Sequence, residues 1–266
     1  MNSSVPENEI KEIEDLSLNA WPSHQIQIYD GWLLRFSYFY THRTNSVEQI
    51  GESAIPVSEK ITYCEQEYRK WGTPSIFKIT PLLDPSFDRM LSEQGYHVEH
   101  HTDVMIMNLD GMHEKDISDA DCRESDERPH LPLTVGRFIS DAWIEGLFAL
   151  KGTTNVMHRQ VVPSMYRAIP KQTICVSVLD EGKTAATGLG ILDRGYVGVY
   201  AIHVHPDYRR LRYGSRIVRR ILQEGIAVGA RKAYLQVVHD NIPAGELYRQ
   251  IGFRIAYEYY FRVKQV

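Results

Sequence analysis

Apolar side chains along the chain switch between two spacings, the period near 3.6 of a helix buried on one face and the period of 2 of a half-buried strand. Helical spacing over residues 9–21 gives way to a strand pair around 31–47 and a helix over 58–72; the strand SIFKIT, a short helix over 87–94 and a closing strand before Asp110 follow. Beyond Pro132, helical segments occupy 135–167 and strands 173–179, 185–192 and 195–204; a long helix over 213–230, a strand over 233–238, a short helix over 243–250 and a last strand over 255–263 complete the chain. Glycines and prolines fall where helices stop and turns begin. Strands alternating with helices predict an α/β (α+β) fold, with two similar mixed β-sheets flanked by helices.

The order of elements occurs twice. A shift of 157 residues places Gly31 on Gly188, Gly72 on Gly229 and Gly95 on Gly252 without a gap, and with them Val47 on Val204, Phe77 on Tyr234, Tyr96 on Phe253, Val98 on Ile255 and Val104 on Phe261. Self-similarity at one fixed offset reads as a tandem duplication. The competing reading is a chance alignment of two unrelated halves, because glycine is a common helix C-cap. Between the halves, DGMHEKDISDADCRESDERPHLP carries eight acids against three bases and reads as an acidic linker. The expected division is 1–109, 110–132 and 133–266.

Composition narrows the function class. The 266 residues are nearly two times the roughly 150 of a typical domain. Hydrophobic residues at 43% and charged residues at 24% are ordinary globular usage. Thirty Lys and Arg against 34 Asp and Glu leave a net charge of -4, so no global cationic field gathers nucleic acid, and any basic site is local. Cys64, Cys122 and Cys175 are odd in number and form no C-x-x-C pair, which points to reduced cytoplasmic thiols rather than disulfides or a metal site. No apolar run reaches the roughly 18 residues of a membrane span, and the acidic start lacks the features of a signal peptide.

The chemistry concentrates after residue 196. A strand, YAIHV, runs into the turn HPDYRRLRYGS and a helix with Ile217, Val218, Ile221, Leu222 and Ile226 at helical spacing. A strand-to-helix turn aims free backbone N–H groups and the positive helix end at one spot, which suits a phosphate. Arg209, Arg210, Arg212, Arg216, Arg219 and Arg220 add charge, although for any single arginine a solvated helix face is the simpler account. Further on, DNIPAGELYRQIGF has the form of a capped helix ended by glycine.

Together, HVHPDYRRLRYGS and NIPAGELYRQIGF resemble the GNAT superfamily of acyl-CoA N-acyltransferases, whose coenzyme turn reads R/Q-x-x-G-x-G/A and whose later segment reads N-x-x-A-x-x-L-Y-x-x-x-G-F. The resemblance covers residues 133–266 and implies acetyl-CoA as cosubstrate, with no metal. It implies direct attack of an amine on the thioester in a ternary complex, in a cleft where two parallel strands splay apart. It places the backbone amides of Arg210, Leu211, Arg212, Tyr213, Gly214 and Ser215 around the pyrophosphate, with Arg209 also binding the coenzyme. It places Val204, Asn241 and Ala244 along the coenzyme arm, the Ile202 amide at the thioester oxygen, and Tyr248 as the acid that protonates the departing thiolate.

Two departures stand out. Arg212 occupies the first loop glycine of the pattern, a place where positive φ is costly for a side chain. No carboxylate stands on the strand before the loop, so no base is evident; Tyr200 shares parity with Ile202 and is a candidate to orient a water, or else a half-buried strand aromatic. Regular alternation turns His203 and His205 to the other face, and Asp141, Glu145 and His158 are further candidates. In the first half the aligned turn is GESAIPVS, with Glu52, Ile55 and Val57 opposite Arg209, Arg212 and Gly214, Asp84 opposite Asn241 and Leu91 opposite Tyr248, so that half is expected to support rather than react. The expected partner is a small-molecule amine acceptor, bound by Trp143, Phe148, Tyr166, the hairpin near 193–196 and the first half; a second copy of the chain is also compatible. Competing classes are a catalytically silent acyl-CoA-binding module and, against the net charge, a nucleic-acid-binding helix.

Overall fold

The computed structural model describes residues 4–117 and 131–265, so Cys122 and most of the acidic segment lie outside the described residues. Its strands are β1 (Gln25–Tyr29), β2 (Trp32–Phe36), β3 (Val47–Gln49), β4 (Ser75–Ile79), β5 (His97–Asn108), β6 (Leu133–Gly136), β7 (Gln172–Asp180), β8 (Lys183–Asp193), β9 (Tyr196–Val204), β10 (Lys232–Val238) and β11 (Arg254–Lys264). The helices are α1 (Glu7–Ala20), α2 (Val57–Lys70), α3 (Pro85–Glu93), α4 (Asp141–Lys151), α5 (Val156–Arg167), α6 (Tyr213–Ala227) and α7 (Ile242–Ile251). The alternation read from the sequence is present with two corrections: β6 is a strand where helical segments are expected from residue 135, and β1 precedes the strand pair expected over 31–47.

The two expected sheets are joined edge to edge into one of eleven strands, ordered β1-β2-β3-β4-β11-β5-β10-β9-β8-β7-β6. The join is an exchange of closing strands. β5, the last strand of the first half, pairs antiparallel with β10, while β11, the last of the second half, pairs antiparallel with β4 and with β5. Each half therefore completes its neighbour's sheet, and the backbone ladder at the centre belongs to both.

The 157-residue offset matches α2 to α6, β4 to β10, α3 to α7 and β5 to β11. Two of its glycine pairs end those helices at positive φ: Gly72 at +63° and Gly229 at +90°, Gly95 at +86° and Gly252 at +118°. The third pair is not equivalent. Gly31 sits in the β1–β2 hairpin at φ +76°, whereas Gly188 lies inside β8. A Cβ on Gly188 would stand 2.2 Å from Ile217 Cγ2, so this glycine admits α6 to the sheet. Across that gap Ile217, Val218, Ile221 and Leu222 are fully buried, each contributing about 1.5–3 kcal/mol.

The acidic segment is not a free spacer at its described ends. Ile117 is buried in the core under α6, with Met112 and Leu131 packed beside it. Asp110, Glu114 and Asp116, its described acids, are exposed, while Met112, Ile117 and Leu131 serve as anchors. No helix among the described residues is long and apolar enough to cross a membrane.

Candidate active site

β9 and β10 run parallel and pair only from Lys232↔Tyr196 to Leu235↔Val199. Both continue, β9 along β8 as far as Val204↔Ala186 and β10 along β5 as far as Val238↔Thr102, so a wedge opens between them. Peptide groups alternate in direction along a strand. His205 donates its N–H to the Ala185 carbonyl of β8 at 2.8 Å, so the N–H groups of Val204 and Ile202 point toward the open side.

β9 carries one irregularity here. Leu189 pairs with Tyr200 but Thr187 pairs with His203, so three steps on β9 face two on β8, a β-bulge with Ala201 in the left-handed region at φ +50°. The bulge overturns the parity expected from the sequence: His203 lies on the same face as Tyr200, and Ile202 lies on the α6 face, where its Cδ1 approaches Gly188. His205 is tied up by accepting the Asp207 N–H at Nδ1, 3.3 Å away.

α6 begins at the tip of the wedge. Arg212 is its N-cap and adopts φ +58°, the conformation the missing glycine would take, and Arg210 is left-handed at +61°. The turn keeps its shape at a cost of about 1–2 kcal/mol per such residue. The Arg216 N–H is the first to bond back, to the Arg212 carbonyl at 3.0 Å, which leaves the amides of Tyr213, Gly214 and Ser215 directed outward at the positive helix end. Gly214 lies close under α7: a Cβ there would stand 3.1 Å from Leu247 Cδ1, a tight contact. Arg209 and Arg210 are exposed beside these amides, with no partner among the described residues. Three of the six arginines are engaged elsewhere: Arg216 with the Leu131 carbonyl at 3.3 Å, Arg219 with Ser215 Oγ at 3.4 Å and Arg220 with Glu224 at 2.7 Å.

α7 supplies the other wall. Asn241 caps it, its side chain accepting the Ala244 N–H at 3.4 Å. Tyr248, on the inner face of α7, packs in one cluster with Ile202, Val204, Ala244 and Leu247. Burial pushes its phenol up to about 12, so it stays protonated, and the hydroxyl has no partner among the described residues.

On the opposite face of the sheet a cavity of about 140 Å³ reaches Tyr200, Ala201 and His203. Tyr166 lines it as expected, but Trp143 and Phe148 do not: Trp143 is buried and donates its Nε1–H to the Val176 carbonyl at 3.1 Å, and Phe148 is sealed in the core. The hairpin at Arg194 and Gly195 lies at the other end of β9, on a separate groove. The first half contributes Trp21, Thr41 and Arg43 to the cavity instead. Tyr200 is largely buried, its hydroxyl 2.6 Å from that of Tyr234. Asp141 and Glu145 are in exposed ion pairs with Arg167 and Arg159, and His158 Nε2 bonds the Tyr38 carbonyl at 3.0 Å; none borders the cavity. His203 does border it, and burial, with Lys151 nearby, pushes its imidazole down to about 4. The signal for this residue in the sequence is indirect, since only the bulge turns it inward. Two His–carboxylate groups, His42 with Glu99 and His100 and Asp103 with His239 and Glu258, bring potential metal ligands within 4.8 Å of one another.

The profile of the family described as "Probable histone acetyltransferase Rv0428c C-terminal" matches residues 7–261. The chain belongs to this family. It is 25% identical over 259 residues to "Uncharacterized N-acetyltransferase YobR" of Bacillus subtilis (strain 168), spanning 97% of this chain and 100% of that one. It shares its fold with a GCN5-related N-acetyltransferase from Kribbella flavida, at TM-score 0.64 and 16% identity over 96% of this chain and 95% of that one. A tandem GNAT protein from the clavulanic acid biosynthesis pathway superposes at TM-score 0.61 and 14% identity, over 83% of this chain and 74% of that one. The fold is that of the GNAT superfamily, and the protein is an acetyltransferase of the GNAT type.

In this acetyltransferase the turn of the first half that the 157-residue offset aligns with residues 209–214 is occupied by a side chain of the chain itself. The carboxylate of Asp30 accepts the Ala54 N–H at 3.0 Å and the Ile55 N–H at 2.9 Å, and those amides hold its pKa below the ordinary value. Lys60 closes the group against Asp30 at 3.2 Å. Asp84 caps α3 as Asn241 caps α7, accepting the Ser86 N–H at 2.8 Å, while Leu91, opposite Tyr248, is fully buried.

Proposed function

We propose that this chain transfers the acetyl group of acetyl-CoA to a primary amine of a small molecule, in a ternary complex, using the second half as the catalytic unit. The observation that carries the reading is the wedge between β9 and β10, which opens beside the outward amides of Tyr213, Gly214 and Ser215. The pyrophosphate would take those amides together with Arg209 and Arg210, in line with anion binding at a helix N-terminus. The coenzyme arm would run along Val204 past Asn241 and Ala244, as a third strand edge in the wedge.

With the thioester carbonyl at the Ile202 N–H, the amine nitrogen attacks the carbonyl carbon, the new C–N bond forms and the C–S bond breaks. Tyr248 would give the leaving sulfur its proton, a role its raised pKa supports. The proton lost by the amine passes to the cavity side, where the neutral imidazole of His203 is an available acceptor. Tyr200 serves as a wall rather than a base, since its hydroxyl is committed to Tyr234. By the same reading the two halves derive from one duplicated unit, and residues 1–109 support the sheet and shape the acceptor side.

The test is release of CoA thiol from acetyl-CoA with a panel of amines. Amine-dependent release is expected. In Tyr248→Phe, kcat falls by about 10–100-fold, low in the range for general acid catalysis because a thiolate of pKa about 8.5 leaves readily, while the KM for acetyl-CoA holds. Tight coenzyme binding without release for any amine would favour a silent acyl-CoA-binding module.

A further inference from the structure

The acceptor cavity has an unbalanced charge. Arg43 and Lys151 both line it, and none of its lining residues carries a carboxylate. Neither cation forms an ion pair among the described residues: Arg43 Nη1 donates to Gln236 Oε1 at 3.3 Å, and Lys151 Nζ donates to the Tyr40 hydroxyl at 2.7 Å with its charge 4.5 Å from the same ring. Partial desolvation and the nearby Arg43 hold the Lys151 pKa below its ordinary value, although the side chain reaches the surface. Arg43 is part-buried in the wall and Lys151 stands at the exposed rim, so two cations face one open cavity with no carboxylate among its lining residues, which marks a place for an anion.

A second feature points the same way. Gln236 lies on β10 one residue past the last β9 pair, in a narrow cleft adjoining the cavity and sharing Trp21, Arg43 and Tyr200 with it. Its Oε1 accepts from Arg43 and from the Tyr259 hydroxyl at 3.1 Å, which orients the amide, and its buried Nε2 has no partner. A sealed N–H donor beside an unpaired guanidinium is completed by an oxygen acceptor.

We propose that the acceptor is a small amino-carboxylate, a molecule bearing a carboxylate near its reacting amine, and that Arg43 and Lys151 hold that carboxylate. The proposal rests on the acetyltransfer reading and names its substrate class. The cavity of about 140 Å³ is well below the roughly 300–1,000 Å³ that takes drug-sized ligands, so a free small molecule fits better than a peptide segment. The cationic wall does two things at once. It attracts the carboxylate, and it disfavours the ammonium form of the amine, so the neutral nucleophile is populated at lower pH than in water. A lysine side chain or a polyamine brings only positive charge and meets repulsion.

The experiment compares a set of small L-amino acids, the same compounds as carboxamides, and a linear diamine, by calorimetric binding to the CoA-loaded protein and by CoA release from acetyl-CoA. Binding of the amino acids is expected to exceed that of their carboxamides by about 10–100-fold, the worth of a charge-assisted hydrogen bond. Arg43→Gln should abolish most of that preference and raise the acceptor KM by a similar factor without moving the KM for acetyl-CoA; Arg43→Lys should restore part of it. Lys151→Met is an independent second variant should Arg43→Gln fold poorly. Equal binding of amino acids and carboxamides, or tighter binding of the diamine, overturns the proposal. Carboxylate-dependent binding lost in Arg43→Gln with no CoA release from any amine sustains the charge assignment and refutes acetyl transfer instead.

Discussion

Ala201 holds a left-handed backbone in mid-strand, and the consequence is read two residues later, where His203 turns into the cavity beside Tyr200 instead of away from it. A side chain facing that cavity is partly dehydrated and stands near Lys151, and both effects push its imidazole down to about 4. An unfolded histidine takes up a proton near pH 6.5, so between that pH and about 4 the unfolded chain binds more protons at this site than the folded one. Stability from His203 is therefore complete above about pH 6.5 and declines as the pH falls toward 4. Urea midpoints measured from pH 7 to pH 4 should drop less steeply for His203→Gln than for the wild type; parallel curves would show that the imidazole is not dehydrated. If His203 also accepts the amine proton, the variant loses kcat at neutral pH while binding acetyl-CoA normally.

At the scale of elements, what joins the halves is a buried polar cluster beneath the exchanged strands. Lys78 of β4 bonds Glu14 of α1 and stands 3.7 Å from Glu48 of β3; Glu48 pairs with Arg35 of β2 at 3.1 Å, and the Tyr257 hydroxyl of β11 donates to Glu14 at 2.6 Å. Burial opposes the charge on Lys78, but the carboxylates of Glu14 and Glu48 outweigh it and raise its pKa. Two cations and two anions satisfy one another, so removing one partner strands the rest. Lys78→Met should cost about 3–5 kcal/mol in urea unfolding. A cost below about 1 kcal/mol would mean that the carboxylates find protons or water, and that the cluster does not tie α1 to the sheet. The same elements end close to Arg43 and Gln236, so a loosened cluster is also expected to weaken acceptor binding.

For the whole molecule, the exchange of β5 and β11 makes the halves interdependent. Residues 133–266 contain the arginine-rich turn before α6 and Tyr248, yet without β5 the edge of β10 is unpaired, and β11 loses both β4 and β5. Arg43, Trp21 and Thr41 leave the cavity beside Tyr200 and His203 with the first half. Expressed alone, residues 133–266 should be insoluble or lack cooperative unfolding, because exposed strand edges template aggregation. Co-expression with residues 1–117 should recover a soluble complex. A folded, active 133–266 fragment would show instead that the second half closes its own sheet.

Much of this acetyltransferase is legible in its sequence, because local rules reach that far. Helical and strand periods, glycine C-caps at Gly72, Gly95, Gly229 and Gly252, the asparagine cap of α7 and the arginine-rich turn before α6 all depend on residues a few positions apart. The aligned segments from α2 to β5 and from α6 to β11 follow from the same periodicity. The tertiary structure alone decided three matters. It exchanged the closing strands, since strand partners are chosen by packing across the whole chain. It placed a one-residue bulge that inverted the parity of His203, which no alternation rule can anticipate because the extra residue is defined against the partner strand. It brought Arg43 of the first half and Lys151 of the second to one cavity without a carboxylate. An electrostatic site depends on distance in space, and residues 43 and 151 become neighbours only once both halves share one sheet.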